Sequence, residues 1–279
     1  MSSVLFLVHP DRPAAKELAA AARAWWELHG YDVVDSEGDV DSGAAASCGG
    51  GHAFAVSFGG DGTMLRTLQA ALPESIPVLG INLGRMGYLA EVEPSAMEGA
   101  FERLLSGDYR VEERLALEVS IVRADGTGVP MRWSAMNEAI VERNAPGHTI
   151  RVAVDIAGVR FLTYVADGLL VCTPTGSTAY NLSARGPVVS PNLQALVLTA
   201  VAPHLVFDRS LVLGPDEPVT ITLLEGRGAT LVLDGSHSEP LSDGDAVECT
   251  AAQLPARFVT FGDRDFHAVL RSRFALADR

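Results

Sequence analysis

The chain has 279 residues, 48% of them hydrophobic and 20% charged, which excludes intrinsic disorder, a collagen-like repeat and a coiled coil. With 21 basic against 35 acidic residues the formal charge is −14, and no basic stripe runs along the sequence. A nucleic-acid partner is therefore excluded, and any anionic ligand needs local positive potential against the overall field. Lys16 is the only lysine, and its Ala-Ala-Lys-Glu setting rules out a Walker A loop and makes it a poor Schiff-base nucleophile. Cys48, Cys172 and Cys249 contain no Cys-x-x-Cys pair, so neither a disulfide framework nor a zinc site is indicated. Length alone predicts a little under two domains and a core that needs no covalent staple. No basic, apolar leader pattern and no run of 18 apolar residues occurs, which predicts a cytoplasmic protein without a membrane partner.

Strand-like and helix-like segments alternate at first. Val4 to Val8 is a short apolar run, and Pro13 to His29 reads as a helix with Leu18, Ala22, Trp25 and Leu28 on one face and Gly30 as its stop. Tyr31 to Val34 reads as a strand, and the acidic, Ser/Ala/Gly-rich stretch from Asp35 to Gly51 as a loop. Phe54 to Phe58 is a third strand, followed by Gly59-Gly60-Asp61-Gly62-Thr63, a helix with Leu65, Leu68 and Leu72 on one face, and a strand from Pro77 to Ile81. Strands separated by helices imply a parallel sheet.

The rhythm changes after about Arg110. Strands are predicted over Leu115–Arg123, Trp133–Val141, Ile150–Ile156, Phe161–Val165, Leu169–Cys172, Val219–Leu224, Thr230–Leu233 and Ala246–Cys249, many separated by Gly, Asp and Pro turns. The final segment, Asp265 to Leu276, places Phe266, Val269, Leu270 and Phe274 on one helical face. The expected architecture is an α/β domain with a parallel sheet over 1–110, to which 262–279 return, and a β-sandwich-like domain over 111–261.

Three elements carry chemistry. Glycines in the 59–63 loop allow positive φ and close backbone approach to a ligand, and the following helix N-terminus adds partial positive charge, so phosphate can be cradled without lysine. Asp61 in that loop would repel phosphate unless it serves as a general base or metal ligand; alternatively it caps the helix of a plain tight turn. The run Asp167 to Tyr180, with Thr-Pro-Thr-Gly-Ser-Thr-Ala-Tyr at 173–180, concentrates hydroxyls and N–H groups at the start of a short helix ending near Ala184. Such groups suit sugar and phosphate oxygens, the plainer reading being a helix capped by Ser177 or Thr178. Tyr180 either stacks on a base or packs in the core, the commoner role of a lone tyrosine. Asn137 and Glu138 interrupt an apolar strand and cannot face the same side unless a bulge or strand end intervenes; the plainer reading is a satisfied turn pair. His204 and His237 lack a ligand cluster around them and read as structural.

Together these residues resemble the NAD kinases, which move the ATP γ-phosphate to the adenosine-ribose 2′-hydroxyl of NAD. The loop 59–63, the pair 137–138 and the run Asp167 to Pro187 match that family's motifs, and Pro203-His204, Leu233-Asp234-Gly235 and Val269-Leu270-Arg271 follow in its order. The resemblance spans nearly the whole chain and implies Asp61 as the base for the 2′-hydroxyl. It implies phosphate binding by Gly59, Gly60, Gly62 and Thr63, with Mg²⁺ or another divalent ion accompanying ATP through unassigned ligands. It further implies an NAD site of Asn137, Glu138, Asp167, Thr178, Ala179, Tyr180 and Ser183 with Asp234 nearby, in a homodimer or homotetramer. Two departures stand out: Ala166 replaces the glycine usual before Asp167-Gly168, and Arg185 the first glycine of Ser-Ala-Gly-Gly-Pro, where it adds a phosphate contact or narrows the pocket. A lipid kinase with a similar loop would show a basic or amphipathic membrane element, which this chain lacks. A kinase of the same fold with another nucleoside acceptor, and a dinucleotide sensor without turnover, are the remaining alternatives; Asp61 argues against the sensor.

Overall fold

A computed structural model describes residues 2–36, 51–84, 87–126, 131–204, 207–225, 228–262 and 265–274. The described residues form two compact units, one from residues up to 113 together with those from 256 onward, the other from 114–255.

In the first unit, β1 (Ser3–Val8), α1 (Pro13–Leu28), β2 (Asp32–Asp35), β3 (His52–Gly59), α2 (Asp61–Ala71), β4 (Val78–Asn82), α3 (Met97–Ser106) and β5 (Arg110–Arg114) follow in sequence, joined by the last strand, β18 (Ala256–Thr260), and the helix α5 (Phe266–Arg273). The sheet order is β2-β1-β3-β4-β18-β5, with β1 parallel to β2 and β3, and β4 parallel to β3 and β18. Val4, Phe6, Phe54, Val56, Phe58, Leu79 and Ile81 share a core with Trp26 and Phe101 from α1 and α3. Gly80 instead abuts Met64 of α2, so the sheet is covered on both faces and its strands read as unbroken apolar runs. Pro13 opens α1 and Gly30, at φ 83°, follows its end. The buried face of α1 is Ala15, Ala19, Ala22 and Trp26, rotated from the expected one, and Leu28 is exposed. Alanines win that face because they let the helix lie close to the sheet. Helix α3 and strands β5 and β18 escaped the sequence reading. Most of the predicted loop at 35–51 lies outside the described residues, as does Leu276.

The second unit pairs two antiparallel sheets. One has the order β10 (Val159–Ala166), β9 (Ile150–Ile156), β14 (Val219–Glu225), β17 (Ala246–Ala251), β6 (Leu117–Val122), β7 (Met131–Ala135). The other runs β13 (Leu211–Leu213), β12 (Leu196–Val201), β11 (Gly168–Cys172), β8 (Glu138–Arg143), β15 (Ala229–Leu233), β16 (His237–Leu241). Val119, Ile121 and Trp133 from the first meet Val141, Leu169, Val171 and Leu198 from the second in one buried core. The chain is therefore an α/β fold followed by a β-sandwich, with a C-terminal helix. The single strand predicted over 133–141 is two, because β7 ends at Ala135 and β8 begins at Glu138. Period-2 alternation then aims Glu138 and Ile140 at the outer face of their sheet, where Ile140, Leu170, Cys172 and Val197 pack with Val189 of the loop that crosses it. That loop contains the short helix α4 (Tyr180–Ser183).

Candidate active site

In the first unit the strand order reverses at β1, which has β2 on one side and β3 on the other, and open α/β sheets bind ligands at the carboxyl edge of such a switch point. The glycine-rich loop leaves the end of β3 there, with Gly59 in register with Asn82 of β4. The Thr63 side chain lies over Gly59 and leaves no room for a β-carbon, whereas Gly60 and Gly62 have no heavy atom within 4 Å of where theirs would sit. None of the three has positive φ. The glycines are needed for close packing at 59 and for open backbone at 60 and 62, a different reason from the expected left-handed turn. Thr63 is buried and its hydroxyl has no hydrogen-bond partner among the described residues.

Asp61 does not cap α2. Its carboxylate instead reaches the segment after β4, accepting from the Tyr88 N–H at Oδ2 (2.9 Å) and the Leu89 N–H at Oδ1 (3.1 Å). Gly87 makes this possible, since a β-carbon there would overlap the carboxylate. Arg273 of α5 stands 3.6 Å from Oδ2 and over the Tyr88 ring, 5.1 Å from its centroid. Asp61 thus remains partly exposed while fixed in orientation. Gly87, Tyr88, Leu89 and Arg273 were missed from sequence; the spaced glycines at 84 and 87 after an apolar strand were the available signal.

The second unit gathers most of the other predicted residues around the break between β7 and β8. Asp234, in a tight turn at φ 48°, takes the Met136 N–H on Oδ2 (2.8 Å) and those of Asn137 and Glu138 on Oδ1 (2.7 and 3.1 Å). Thr173 closes the other side, its hydroxyl donating to the Met136 carbonyl (2.6 Å) and its N–H to that of Asn137 (2.9 Å). Gly176 lies against the Asn137 backbone with no space for a side chain. This is how Asn137 and Glu138 escape the alternation of a regular strand. Glu138 is buried, and its Oε2 has no hydrogen-bond partner among the described residues. Burial, then the Asp234 charge, push its carboxyl up to about 8, against the pull of the Tyr180 N–H hydrogen bond.

Asp167 is held by Arg143 through two contacts, 3.0 Å from Nε and 3.2 Å from Nη2. The charges of Glu142, Asp167 and Glu138 all reach the Tyr180 hydroxyl and, after desolvation, raise it. Tyr180 is 37% exposed, which excludes the core role. Ser177 is no cap: its hydroxyl is buried between Pro174 O (2.7 Å) and the Val189 backbone, whose N–H donates to it (2.9 Å). Thr178 donates to Thr175 O (3.3 Å), Ala179 is half-buried and Ser183 is exposed. Asn181 was not anticipated: fully buried, it donates to Ser177 O and Pro187 O and accepts from the Thr199 hydroxyl. His204 is exposed, and His237 lies 3.3 Å from Glu239 and against Trp133. Cys172 and Cys249 are buried free thiols, the latter pushed up to about 12 by burial; Cys48 lies outside the described residues.

The first unit thus presents a glycine-lined helix start at a sheet switch point, features that suit phosphate binding without a Walker lysine, and the second a buried carboxyl beside a hydroxyl-rich loop. The family model "ATP-NAD kinase N-terminal domain" matches residues 29–109, and "ATP-NAD kinase C-terminal domain" matches 136–261. The NAD kinase of Wolinella succinogenes is 36% identical, over 100% of this chain and 97% of its own, and that of Heliobacterium modesticaldum 43% identical over 78% and 77%. Among solved structures, the Archaeoglobus fulgidus NAD kinase in complex with ATP aligns with TM-score 0.75 at 26% identity, over 99% of both chains. Yeast NADH kinase complexed with NADH aligns with TM-score 0.88 at 20% identity, over 100% of this chain and 89% of that one. The chain belongs to the ATP-NAD kinase family, and it is an NAD⁺ kinase, a phosphotransferase.

Proposed function

We propose that Asp61 is the base that receives the proton of the adenosine-ribose 2′-hydroxyl of NAD as ATP phosphorylates it to give NADP. The observation that carries this reading is the Asp61 carboxylate, turned away from its own helix and fixed by the Tyr88 and Leu89 N–H groups. The acceptor oxygen bonds to the γ-phosphorus as the bond to the bridging oxygen breaks, ADP leaves, and the hydroxyl proton passes to Asp61. In so loose a transition state, positioning and charge do most of the catalysis. Gly59, Gly60, Gly62 and Thr63 take phosphate oxygens, the open space at 60 and 62 admitting them to the backbone.

Asn137, Glu138, Asp167, Thr178, Ala179, Tyr180 and Ser183 hold the dinucleotide, and Asp234 positions the first two. With its carboxyl raised to about 8, Glu138 carries a proton at neutral pH and offers a donor as well as an acceptor. The exposed Tyr180 ring supplies a stacking face.

Among the described residues no three His, Cys, Asp or Glu side chains gather. A magnesium ion that arrives with ATP fits such a site, since it takes one or two carboxylates and completes its shell with phosphate oxygens and water. Its protein ligands stay unassigned, Asp61 being read as the base, and when bound the ion would neutralise phosphate charge. Phe161 and Phe207 are exposed and pack edge to face with ring centroids 5.9 Å apart, an apolar pair that suits a homo-oligomer. No helix among the described residues is long and apolar enough to cross a membrane.

Purified protein incubated with NAD, ATP and Mg²⁺, with NADP read by an NADP-specific dehydrogenase, tests the assignment. Turnover that disappears in Asp61→Asn supports it. NAD binding without turnover in the wild type would point to a dinucleotide sensor or to a phosphate donor other than ATP, and neither binding nor turnover to another acceptor.

A further inference from the structure

The glycine-rich loop has a charge problem. It carries the Asp61 carboxylate, in a chain of net charge −14 whose one lysine lies elsewhere, and its reading as a phosphate cradle brings more negative charge to it. Arg273 is the guanidinium that the fold brings to this carboxylate. Helix α5 starts at Asp265, whose side chain accepts the His267 N–H (2.9 Å), and carries Arg273 in its last turn, where a cation also suits the helix dipole. The Tyr88 ring supports the guanidinium from one side.

At 3.6 Å the approach to Oδ2 is an ion pair without a hydrogen bond, and Arg273 makes no hydrogen bond among the described residues. Its side chain is 40% exposed. The forked N–H donors are therefore free, and their planar geometry matches two oxygens of a phosphoryl group.

We propose that Arg273 is a catalytic residue, binding the transferred phosphoryl group through its free donors while it holds Asp61 in place, so that the C-terminal helix is part of the active site. The inference rests on the functional reading above. In the transition state the guanidinium meets charge spread over the equatorial oxygens of the γ-phosphoryl group, the role a cis arginine plays in other phosphoryl-transfer enzymes.

The experiment compares wild type, Arg273→Lys, Arg273→Met and Arg273→Ala in NADP formation, with thermal unfolding measured on each. Arg273→Met is expected to lower kcat by about 10²- to 10³-fold with KM for NAD changed by less than about threefold. Arg273→Lys, which keeps the charge and loses the fork, retains an intermediate rate. Millimolar guanidinium chloride, far below denaturing concentration, should restore part of the Arg273→Ala rate and leave wild type unchanged. Wild-type kcat in Arg273→Met overturns the proposal, as does a faster variant, which would make the contact an inhibitory latch. Equal loss in all three variants with a lowered Tm and no rescue also overturns it, the role being structural. If the wild type itself forms no NADP, the functional reading has failed first.

Discussion

Gly87 lies so close to Asp61 that a β-carbon on the first would overlap the carboxylate of the second. Two residues 26 positions apart in sequence are thereby locked together. The glycine lets the chain after β4 pass under the carboxylate and offer it the next two N–H groups, from Tyr88 and Leu89.

Gly87→Ala should therefore act on catalysis more than on folding. The added methyl must displace a partly exposed side chain, which can swing aside into solvent. A base displaced by about 1 Å costs on the order of 100-fold in rate, so kcat should fall by about that much while Tm changes by only a few degrees. Steady-state kinetics and thermal unfolding on one preparation decide it; unchanged kcat would mean that the orientation of Asp61 does not matter.

Gly60→Ala is the converse case. Gly60 has an extended backbone at φ −107° and nothing in the protein within 4 Å of a β-carbon. Stability should stay within about 0.5 kcal/mol of wild type. KM for ATP should rise, because the methyl occupies space that the reading assigns to phosphate oxygens. An unchanged KM would place the phosphates elsewhere.

Glu138 makes stability depend on pH and, on the proposed reading, dinucleotide binding as well. Its carboxyl is raised from 4.5 to about 8, first by burial and then by Asp234. Between those values the folded state holds a proton that the unfolded state has released, so this group's contribution to stability declines as pH rises from about 4.5 to 8 and stays at its minimum above. Glu138→Gln, neutral at every pH, should flatten the stability curve in that window and match or exceed wild type above pH 8. If Glu138 donates a hydrogen bond to the dinucleotide, KM for NAD should rise above pH 8 in wild type and not in the variant. Urea titrations and kinetics from pH 5 to 9 separate the two effects.

Local pattern made a good part of the fold legible. The apolar run at Val4–Val8, the Leu65/Leu68/Leu72 face and the turn-punctuated strands of the second half all fold as their periodicity demands. What escaped depends on contacts distant in sequence. Strand β18 joins the first sheet from more than 170 residues beyond β4, and nothing local in Ala256–Thr260 announces it. The break at 136–137 is imposed by Asp234, almost 100 residues on. Within the site, the motif residues were readable as a set while their individual tasks were not. Ser177 and Asn181 are buried struts, although a string of hydroxyls and amides suggests ligand contacts throughout. Arg273 was invisible because its importance comes only from the carboxylate it meets.

Arg185 stands at a position whose backbone favours the glycine that the resemblance leads one to expect. It sits at φ 65° just after α4, with its N–H on Leu182 O and the next N–H, of Gly186, on Asn181 O, the geometry in which a helix end favours glycine. Gly186 itself has no room for a side chain because Asn181 fills the space. Arg185→Gly should therefore stabilise the protein by roughly 0.5–1 kcal/mol, the left-handed strain outweighing the glycine's extra freedom when unfolded. Since the arginine side chain is exposed, a change in KM for NAD in this variant would show that it reaches the ligand. A loss of stability would mean that Arg185 makes compensating contacts.

Asp234→Asn tests the cradle at the strand break. Asparagine tolerates the left-handed backbone at φ 48° as well as aspartate does, so the variant isolates the carboxylate. The carboxylate serves three N–H groups with two oxygens, and an amide has one oxygen, so at least one of the N–H groups of Met136, Asn137 and Glu138 loses its acceptor. The expected cost is about 1–3 kcal/mol. The same change removes the negative charge that is the second cause of the raised Glu138 carboxyl. The pH at which KM for NAD begins to rise should therefore move down from about 8, although burial keeps it above the ordinary carboxylate range. Stability loss with an unmoved pH profile would show that Asp234 shapes the loop without setting the protonation of Glu138. A shifted profile without stability loss would show the reverse, and neither effect would remove Asp234 from the site.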